Sequence, residues 1–295
     1  MADPTDYYTP ARVVLLTGAG FSKNFGGLLG SEMWSLILNQ PEITASDKLR
    51  ACLLENLNYE MVYDTVINSE NYTTEEKADF TAALEKAYRA LDDAVRFEDV
   101  RQRGQKAMML RSFLNRFGGS GRGRAFFFTL NQDLLVERFY SNQEGLMQIP
   151  GLGHPEWFTH FETPLTPEHE ITLLDQTRVD TWRSRFWARG GGIQHFVYVK
   201  LHGSYGWRAT DGSRAMVIGT AKARIIDKEP LLRWYLDLFK AVVERPGQLL
   251  VVTGYGFMDD HINNVIADAI RDAGLRVHVI LPKAYPWRCA GAQRG

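Results

Sequence analysis

The apolar run RVVLLT at residues 12–17 leads directly into the glycine turn GAG at residues 18–20. A short run of β-branched and aliphatic residues is typical of a strand that is buried on both faces of a parallel sheet. Glycines at its end permit a tight turn, and we predict a helix within residues 21–38. This strand, turn and helix form the first unit of a predicted α/β fold.

The same pattern, a strand that ends in polar or glycine residues, recurs further along the chain. Predicted strands are followed by the turns at residues 131–133 (NQD), 202–204 (HGS) and 254–256 (GYG). We therefore predict a Rossmann-like parallel sheet, in which ligands bind beyond the carboxyl ends of the strands, so the turns should converge on one crevice. The later predicted strands are residues 125–129, 196–201, 249–253 and 277–281.

Residues 41–120 carry a different pattern from the predicted sheet. Apolar residues recur there at spacings of three and four, which predicts about four helices. We therefore divide the chain into a Rossmann-like core at 10–40 and 121–285, a helical insertion at 41–120, and a tail at 286–295 that is a candidate for disorder. Within the core, residues 141–192 are rich in glycine, proline, histidine and tryptophan, which predicts an irregular, functional loop region.

Composition is that of an ordinary globular protein. The 295 residues carry a formal net charge of -1 at pH 7, so no overall field attracts the chain to nucleic acid or to an anionic membrane. The two cysteines, Cys52 and Cys289, exclude a disulfide framework and a four-cysteine zinc site. Residues 1–8 lack the layout of a signal peptide, and the apolar runs are strand-length. We expect a cytoplasmic protein without a membrane span.

The turn Gly18-Ala19-Gly20-Phe21-Ser22 is the first candidate site. Glycines let a backbone approach a diphosphate closely, and the N-terminus of a following helix favours the anion. The alternative is a tight turn that binds no ligand. A standard dehydrogenase is disfavoured, because a lysine stands in place of the third glycine of the dinucleotide fingerprint and no closing acidic residue follows.

Three polar side chains follow the next two predicted strands. Asn131 and Asp133 can cap a helix, or they can face the crevice and hydrogen-bond a ribose or a carboxamide. His202 can be structural, or it can act as a general base on a ribose hydroxyl or a water molecule. The glycine beside it, Gly203, leaves room for a ligand.

The last turn, at residues 254–256, is followed by two acidic residues and a histidine. Its glycines again permit close approach of the backbone. Asp259 or Asp260 is predicted to cap the next helix. His261 would lie in the first turn of that helix, where the helix dipole disfavours the imidazolium cation. It is either a neutral hydrogen-bonding group at the crevice or an exposed surface residue.

These segments, in this order, resemble those of the SIR2 (sirtuin) family. GAGFS at 18–22 matches the family's GAGxS loop, and TLNQD at 129–133 is similar to its TQNxD segment. LHGS at 201–204 matches the motif of its catalytic histidine. GYGFMDDHIN at 254–263 is similar to the late nucleotide-binding turn of prokaryotic SIR2-like proteins of anti-phage defence.

The resemblance implies that NAD+ is the substrate and gives each segment a role. His202 is implied as the general base, and Asn131 as the residue that holds the nicotinamide ribose or the attacking water. Asp133 is implied on the nicotinamide side. The candidate NAD+-binding residues, taken together, are Gly18, Ala19, Gly20, Phe21, Ser22, Asp133, Gly203, Gly254, Tyr255, Asp259 and His261.

Two departures from the sirtuin deacylases direct the prediction toward hydrolysis of NAD+ to nicotinamide and ADP-ribose. Residues 26–30 (GGLLG) stand where deacylases carry a GIPDFR-like stretch, and the four-cysteine zinc module is missing, so no zinc is expected. In the defence proteins such an activity depletes NAD+. The alternatives are a deacylase or ADP-ribosyltransferase that uses the same site, and a module that senses NAD+ or ADP-ribose without turnover.

Residues 101–124 contain seven basic residues and no acidic residue. This segment is either a solvated helix face or a contact surface for a partner or for nucleic acid. The resemblance also implies a homo-oligomer with regulated activity and a defence partner, such as a HerA-type ATPase or an Argonaute-type protein. The seven basic residues are Arg101, Arg103, Lys106, Arg111, Arg116, Arg122 and Arg124.

Overall fold

The computed structural model describes residues 9–96, 100–117, 123–140, 147–152, 164–187 and 196–281. Their strands are β1 (Thr9–Thr17), β2 (Gly123–Thr129), β3 (Met147–Gln148), β4 (Ile171–Thr172), β5 (Phe196–Lys200), β6 (Gly203–Arg208), β7 (Arg214–Met216), β8 (Leu249–Thr253) and β9 (Arg276–Ile280). Six of them form a sheet in the order β3-β5-β2-β1-β8-β9. Every pairing in this sheet is parallel, including that of the two-residue strand β3 with β5.

The middle strands of this sheet are mostly apolar and are buried, as the sequence predicted. Val14, Leu15 and Leu16 of β1 are fully buried, and so are all five residues of β5. Phe126 and Phe128 of β2 stack with ring centroids 5.7 Å apart. Helices flank the sheet, and the predicted Rossmann-like α/β fold is confirmed.

The strand register brings the carboxyl ends of the strands to one level. Thr17 of β1 lies beside Thr129 of β2 and Thr253 of β8, and Thr129 lies beside Lys200 of β5. The hydroxyl of Thr17 donates a 2.8 Å hydrogen bond to that of Thr129. The turns that follow these four strands therefore begin at the same edge of the sheet.

The α-helices of the described residues are α1 (Ala19–Lys23), α2 (Gly30–Leu38), α3 (Pro41–Thr44), α4 (Asp47–Glu55), α5 (Tyr59–Asn68), α6 (Thr74–Arg96), α7 (Val100–Asn115), α8 (Leu135–Tyr140), α9 (Gln176–Arg185), α10 (Lys222–Lys228), α11 (Pro230–Val243) and α12 (Asp260–Ala273). The helix predicted within residues 21–38 is therefore two helices. A turn separates them, in which Gly26 has a φ of +94° and the amide of Gly27 donates to the carbonyl oxygen of Ser22.

Helices α3 to α7 occupy the residues that were predicted as a helical insertion. There are five rather than about four in the described part, because α3 is a single turn that the apolar spacing did not indicate. In α6, Phe80, Leu84 and Leu91 are buried on one face. The preceding helix α2, which we had placed with the core, packs against α3, α4, α5 and α6.

A second, smaller sheet begins directly after His202. Gly203 is the first residue of β6, which pairs antiparallel with β7 and parallel with β4. The prediction that residues 141–192 are irregular was wrong in part, because β3, β4 and α9 fall within them. Helix α9 was missed because Val179 is the buried residue among its ten, which is too weak an apolar face for a periodic pattern.

The predicted tail at 286–295 lies outside the described residues, and so does part of the predicted loop region at 141–192. Residues 101–115 of the basic segment lie in α7, and the side chains of four of its seven basic residues lie outside the described part. Arg111 has a structural partner, because its Nε donates to the carbonyl oxygen of Phe139 at 3.1 Å. Among the described residues, no helix combines the length and the apolar character that a bilayer span requires.

A buried ion pair supports the turn after β2. Nζ of Lys200 lies 2.7 Å from Oε1 of Glu137, and both side chains are almost completely buried. The same ammonium donates to the backbone carbonyl oxygen of Asp133. Burial raises the pKa of Glu137, and the charge of Lys200 opposes this effect. The pair therefore fixes the end of β5 to the start of α8.

We expect Lys200→Met to lower the free energy of unfolding by about 3–5 kcal/mol, because the carboxylate of Glu137 stays buried without the ammonium that neutralises it. Urea denaturation measures the loss. The matched control is Lys240→Met, since Lys240 is exposed and lies 3.8 Å from Glu244. The control should change stability by less than about 1 kcal/mol. Equal losses in the two variants would contradict a structural role for the buried pair.

Candidate active site

A cavity of about 740 Å³ lies at the carboxyl edge of the large sheet. The four turns after β1, β2, β5 and β8 meet there, as the sequence predicted. The helical insertion also lines the cavity, with Tyr59 and Glu60 from α5 and Tyr88 from α6. Residues of α2 and of the start of α10 contribute to the lining as well. The volume is in the range of small-molecule and cofactor sites.

Three glycines hold two of these turns together. The amide of Gly20 donates to the carbonyl oxygen of Gly254 at 2.9 Å, and the amide of Gly18 donates to that of Thr253 at 3.1 Å. A Cβ on Gly18 would lie 2.7 Å from the oxygen of Gly254. A Cβ on Gly254, whose φ is +67°, would lie 2.0 Å from the amide nitrogen of Phe21. The glycines thus permit a close contact between the turns themselves, in addition to any approach of a ligand.

This contact also uses backbone amides that a diphosphate would otherwise meet. Besides the amides of Gly18 and Gly20, that of Phe21 donates to the carbonyl oxygen of Gly18 at 2.9 Å. Ala19 lines the cavity, whereas Gly20 and Phe21 do not. Within this turn, Gly18 and Ala19 are therefore the residues placed to meet a ligand.

Asn131 is anchored to the first turn. Its Nδ2 donates to the carbonyl oxygen of Gly18 at 3.0 Å and to Oγ of Ser22 at 2.8 Å. Its side chain therefore does not cap α8, the alternative that the sequence left open. In the described part of the chain, Oδ1 of Asn131 accepts no hydrogen bond, and the residue lines the cavity. A ribose hydroxyl or a water molecule can donate to this oxygen.

Asp133 has the structural role that the sequence offered as an alternative. Its Oδ1 accepts a 3.0 Å hydrogen bond from the amide of Leu135, the first residue of α8. It also lines the cavity. Gln132, between the two predicted residues, was not identified as a functional residue. Its Nε2 donates to the carbonyl oxygens of Val217 and His202, at 2.9 and 3.3 Å, and its Oε1 accepts from the hydroxyl of Tyr88. Gln132 therefore positions the backbone of His202.

Two histidines face each other at the cavity. Nε2 of His202 and Nε2 of His261 lie 3.0 Å apart, within hydrogen-bonding distance. Burial lowers the pKa of His202 well below its usual value, and the positive charge of Lys222 acts in the same direction, as would a proton on His261. Burial also lowers the pKa of His261, although Asp259 opposes this effect. Both imidazoles are therefore neutral at pH 7, which favours the hydrogen-bonding alternative for His261 over the exposed one.

Asp259 occupies the N-cap position of α12 but makes no side-chain cap hydrogen bond, so the predicted capping role was wrong for this residue. Its Oδ1 instead accepts a 2.7 Å hydrogen bond from Nζ of Lys222. The same ammonium lies 2.6 Å from Oε2 of Glu60 in α5. Burial disfavours the charged form of Lys222, but Glu60 and Asp259 outweigh this effect and raise the pKa of the ammonium.

Lys222 and Glu60 were both missed by the sequence analysis. Neither stands in a recognisable motif, and each contributes through a long-range contact between the insertion and the core. Burial raises the pKa of Glu60, and the charge of Lys222 opposes this effect. The charged groups beside the histidine pair thus come from both parts of the chain.

The predicted site residues divide into two groups. Phe21 packs its ring against Phe25, Phe113 and Phe127, which places it in the core. Gly203 has a φ of +71°, and a Cβ there would lie 1.9 Å from the carbonyl oxygen of Ala215, so the glycine serves the small sheet. Gly20, Phe21, Ser22 and Gly203 do not line the cavity. The residues that do line it are Gly18, Ala19, Asn131, Asp133, His202, Gly254, Tyr255, Asp259 and His261.

A comparison with protein families agrees with this arrangement. Residues 125–288 match the SIR2-like domain, and they make up more than half of the chain. No curated protein matches the sequence. The matched segment contains Asn131, His202 and the turn at 254–256, and this family uses NAD+ as a substrate. On the sheet topology, the cavity and this match, the chain belongs to the SIR2-like family.

Proposed function

We propose that this protein hydrolyses NAD+ to nicotinamide and ADP-ribose. The observation that carries the proposal is the meeting of His202 and Asn131 in one cavity with the turns at Gly18 and Gly254. A neutral imidazole and an unused amide oxygen there can act on a ribose hydroxyl or a water molecule. The missing four-cysteine module favours hydrolysis over the deacylation of a peptide.

Cleavage of the bond between nicotinamide and ribose requires little acid catalysis from the protein. Nicotinamide leaves NAD+ as a neutral molecule from a cationic ring, so its departure needs little acid assistance. The ribose then carries the developing positive charge, and the site has to hold it beside a nucleophile. We assign His202 as the base that accepts a proton from the water or ribose hydroxyl, since burial keeps its imidazole neutral. We assign Oδ1 of Asn131 as the acceptor that orients this group.

We further propose that the activity belongs to anti-phage defence and operates within a regulated assembly. Unregulated hydrolysis of NAD+ would harm the cell that makes the enzyme. Incubating the protein with NAD+ alone, and then with the proteins encoded by its neighbouring genes, tests this part. Nicotinamide release that rises with a neighbour and with the size of the assembly is the expected result. Release that is independent of both would contradict regulation.

We expect Asn131→Ala to reduce the rate of nicotinamide release by about 100-fold, the effect of removing one group that orients reacting atoms. The variant also loses the two hydrogen bonds to Gly18 and Ser22. Chromatography of nicotinamide and ADP-ribose measures the rate. Asn39→Ala is the matched control, because Asn39 ends α2 and its amide donates to the backbone of its own helix.

The products separate the proposal from its rivals. Free ADP-ribose in the presence of an acylated peptide supports a hydrolase, whereas O-acyl-ADP-ribose would identify a deacylase. Binding of NAD+ without any release of nicotinamide, by the free protein and by its assembly, would identify a sensing module. Full activity of Asn131→Ala would overturn the assigned role of this side chain.

A further inference from the structure

The pair of histidines has a geometry that suits a shared ligand. The two Nε2 atoms are 3.0 Å apart, and the ring planes are inclined at 34°. An ion held by two imidazoles at about 2.0–2.1 Å from each nitrogen keeps those nitrogens about 3.0–3.4 Å apart. The two donor atoms therefore need to separate by only a few tenths of an ångström to bind one ion.

Asp259 supplies a third donor beside this pair. One ligand atom from each of His202, Asp259 and His261 lies within 4.8 Å of the other two. The carboxylate accepts no hydrogen bond from the amides of α12, although an aspartate at an N-cap usually does. Lys222 hydrogen-bonds Oδ1, and among the described residues no donor contacts Oδ2. This second oxygen is therefore available to a cation after rotation of the side chain.

The charges around the cluster favour a divalent cation. The ammonium of Lys222 contacts Asp259, but it is shared between two carboxylates, those of Glu60 and Asp259. The cavity is also lined by Asp260. The acidic side chains thus outnumber the single ammonium.

We infer that His202, His261 and Asp259 form a site for a divalent transition-metal ion with Zn²⁺-like preferences, and that the bound ion holds the enzyme inactive. Two imidazole nitrogens and one carboxylate oxygen suit Zn²⁺ better than Mg²⁺ or Ca²⁺, which prefer oxygen ligands. The ion would occupy Nε2 of His202, so this atom could not accept a proton. The inhibition rests on the proposed function, whereas the binding does not. Such a site differs from the cysteine module that the sequence excludes.

Metal binding by the purified apo protein tests the first part without any NAD+. Titration calorimetry with Zn²⁺ should show one ion per chain, and Co²⁺ should give a visible spectrum of low coordination number. We expect His261→Ala and Asp259→Asn each to weaken binding by about 100-fold or more, since loss of an outer-sphere partner alone costs about 10- to 100-fold. His278→Ala is the matched control, because His278 lies on β9 outside the cavity.

The outcomes distinguish this inference from the proposed function. A failure to bind one Zn²⁺ per chain, or binding that survives in both His261→Ala and Asp259→Asn, would overturn the metal site. If the wild-type protein cleaves NAD+, one equivalent of Zn²⁺ should suppress nicotinamide release at least 10-fold, and a chelator should restore it. Undiminished release with the site filled would overturn the inhibitory role. If no condition gives cleavage, the proposed function fails while the binding result stands.

Discussion

Gly254→Ala is expected to lower the free energy of unfolding by about 2–5 kcal/mol and to abolish NAD+ binding. The residue has a φ of +67°, which costs an L-amino acid about 1–2 kcal/mol. The added Cβ would lie 2.0 Å from the amide nitrogen of Phe21 and 2.5 Å from the carbonyl carbon of Gly20. Both are backbone atoms of the first turn, so relief requires the two turns to separate, at a further cost of about 1–3 kcal/mol.

Gly274→Ala is the matched control for this prediction. Gly274 ends α12 with a φ of +68°, but a Cβ there would have no atom within 4 Å. This variant should show only the conformational cost of about 1–2 kcal/mol. Urea denaturation of the two variants beside the wild type measures both losses. If Gly254→Ala lost no more stability than Gly274→Ala, the contact between the turns would not contribute to folding.

His202→Ala is expected to reduce the rate of nicotinamide release by about 10³-fold while leaving the protein folded. Proton transfer by a positioned side chain contributes about 10²- to 10⁴-fold to a reaction. The imidazole of His202 is almost fully buried and neutral, and its Nε2 is directed at the cavity partner His261. Single-turnover measurements with saturating protein separate the loss of chemistry from a loss of NAD+ binding.

The control is the same substitution, histidine to alanine, at a position outside the cavity. His278→Ala removes an imidazole from β9, the edge strand of the same sheet, and should leave nicotinamide release within about twofold of the wild type. A circular dichroism spectrum checks that both variants are folded. Release by His202→Ala at the wild-type rate would eliminate this histidine as the base and, with it, the proposed mechanism.

Much of the large sheet could be predicted because each of its main strands carries its own signal. Buried parallel strands are apolar on both faces, and the runs at 12–17, 125–129 and 249–253 are uninterrupted. The small sheet could not be predicted in this way. Its strand β6 begins at a glycine with positive φ and contains a second glycine, Gly206, so it has no regular alternation.

The candidate site, like the fold, could be predicted only in part from the sequence. Asn131, His202 and the glycine turns lie within a few residues of a predicted strand end, and the parallel topology brings such ends together. Lys222 and Glu60 lie at the starts of α10 and α5. Their positions depend on how the helical insertion packs against the core, which local patterns do not encode. The capping role predicted for Asp259 failed for the same reason, since a distant lysine takes its carboxylate.

The link from Glu60 through Lys222 to Asp259 gives helix α5 an electrostatic connection to His202. A protein that binds α5, or a cation that neutralises Glu60, frees part of the lysine charge. After burial, the positive charge of Lys222 is the next contribution to the low pKa of His202. If His202 is the base that we propose, a signal at α5 can therefore reach it as a change of electrostatic potential, without movement of the cavity walls.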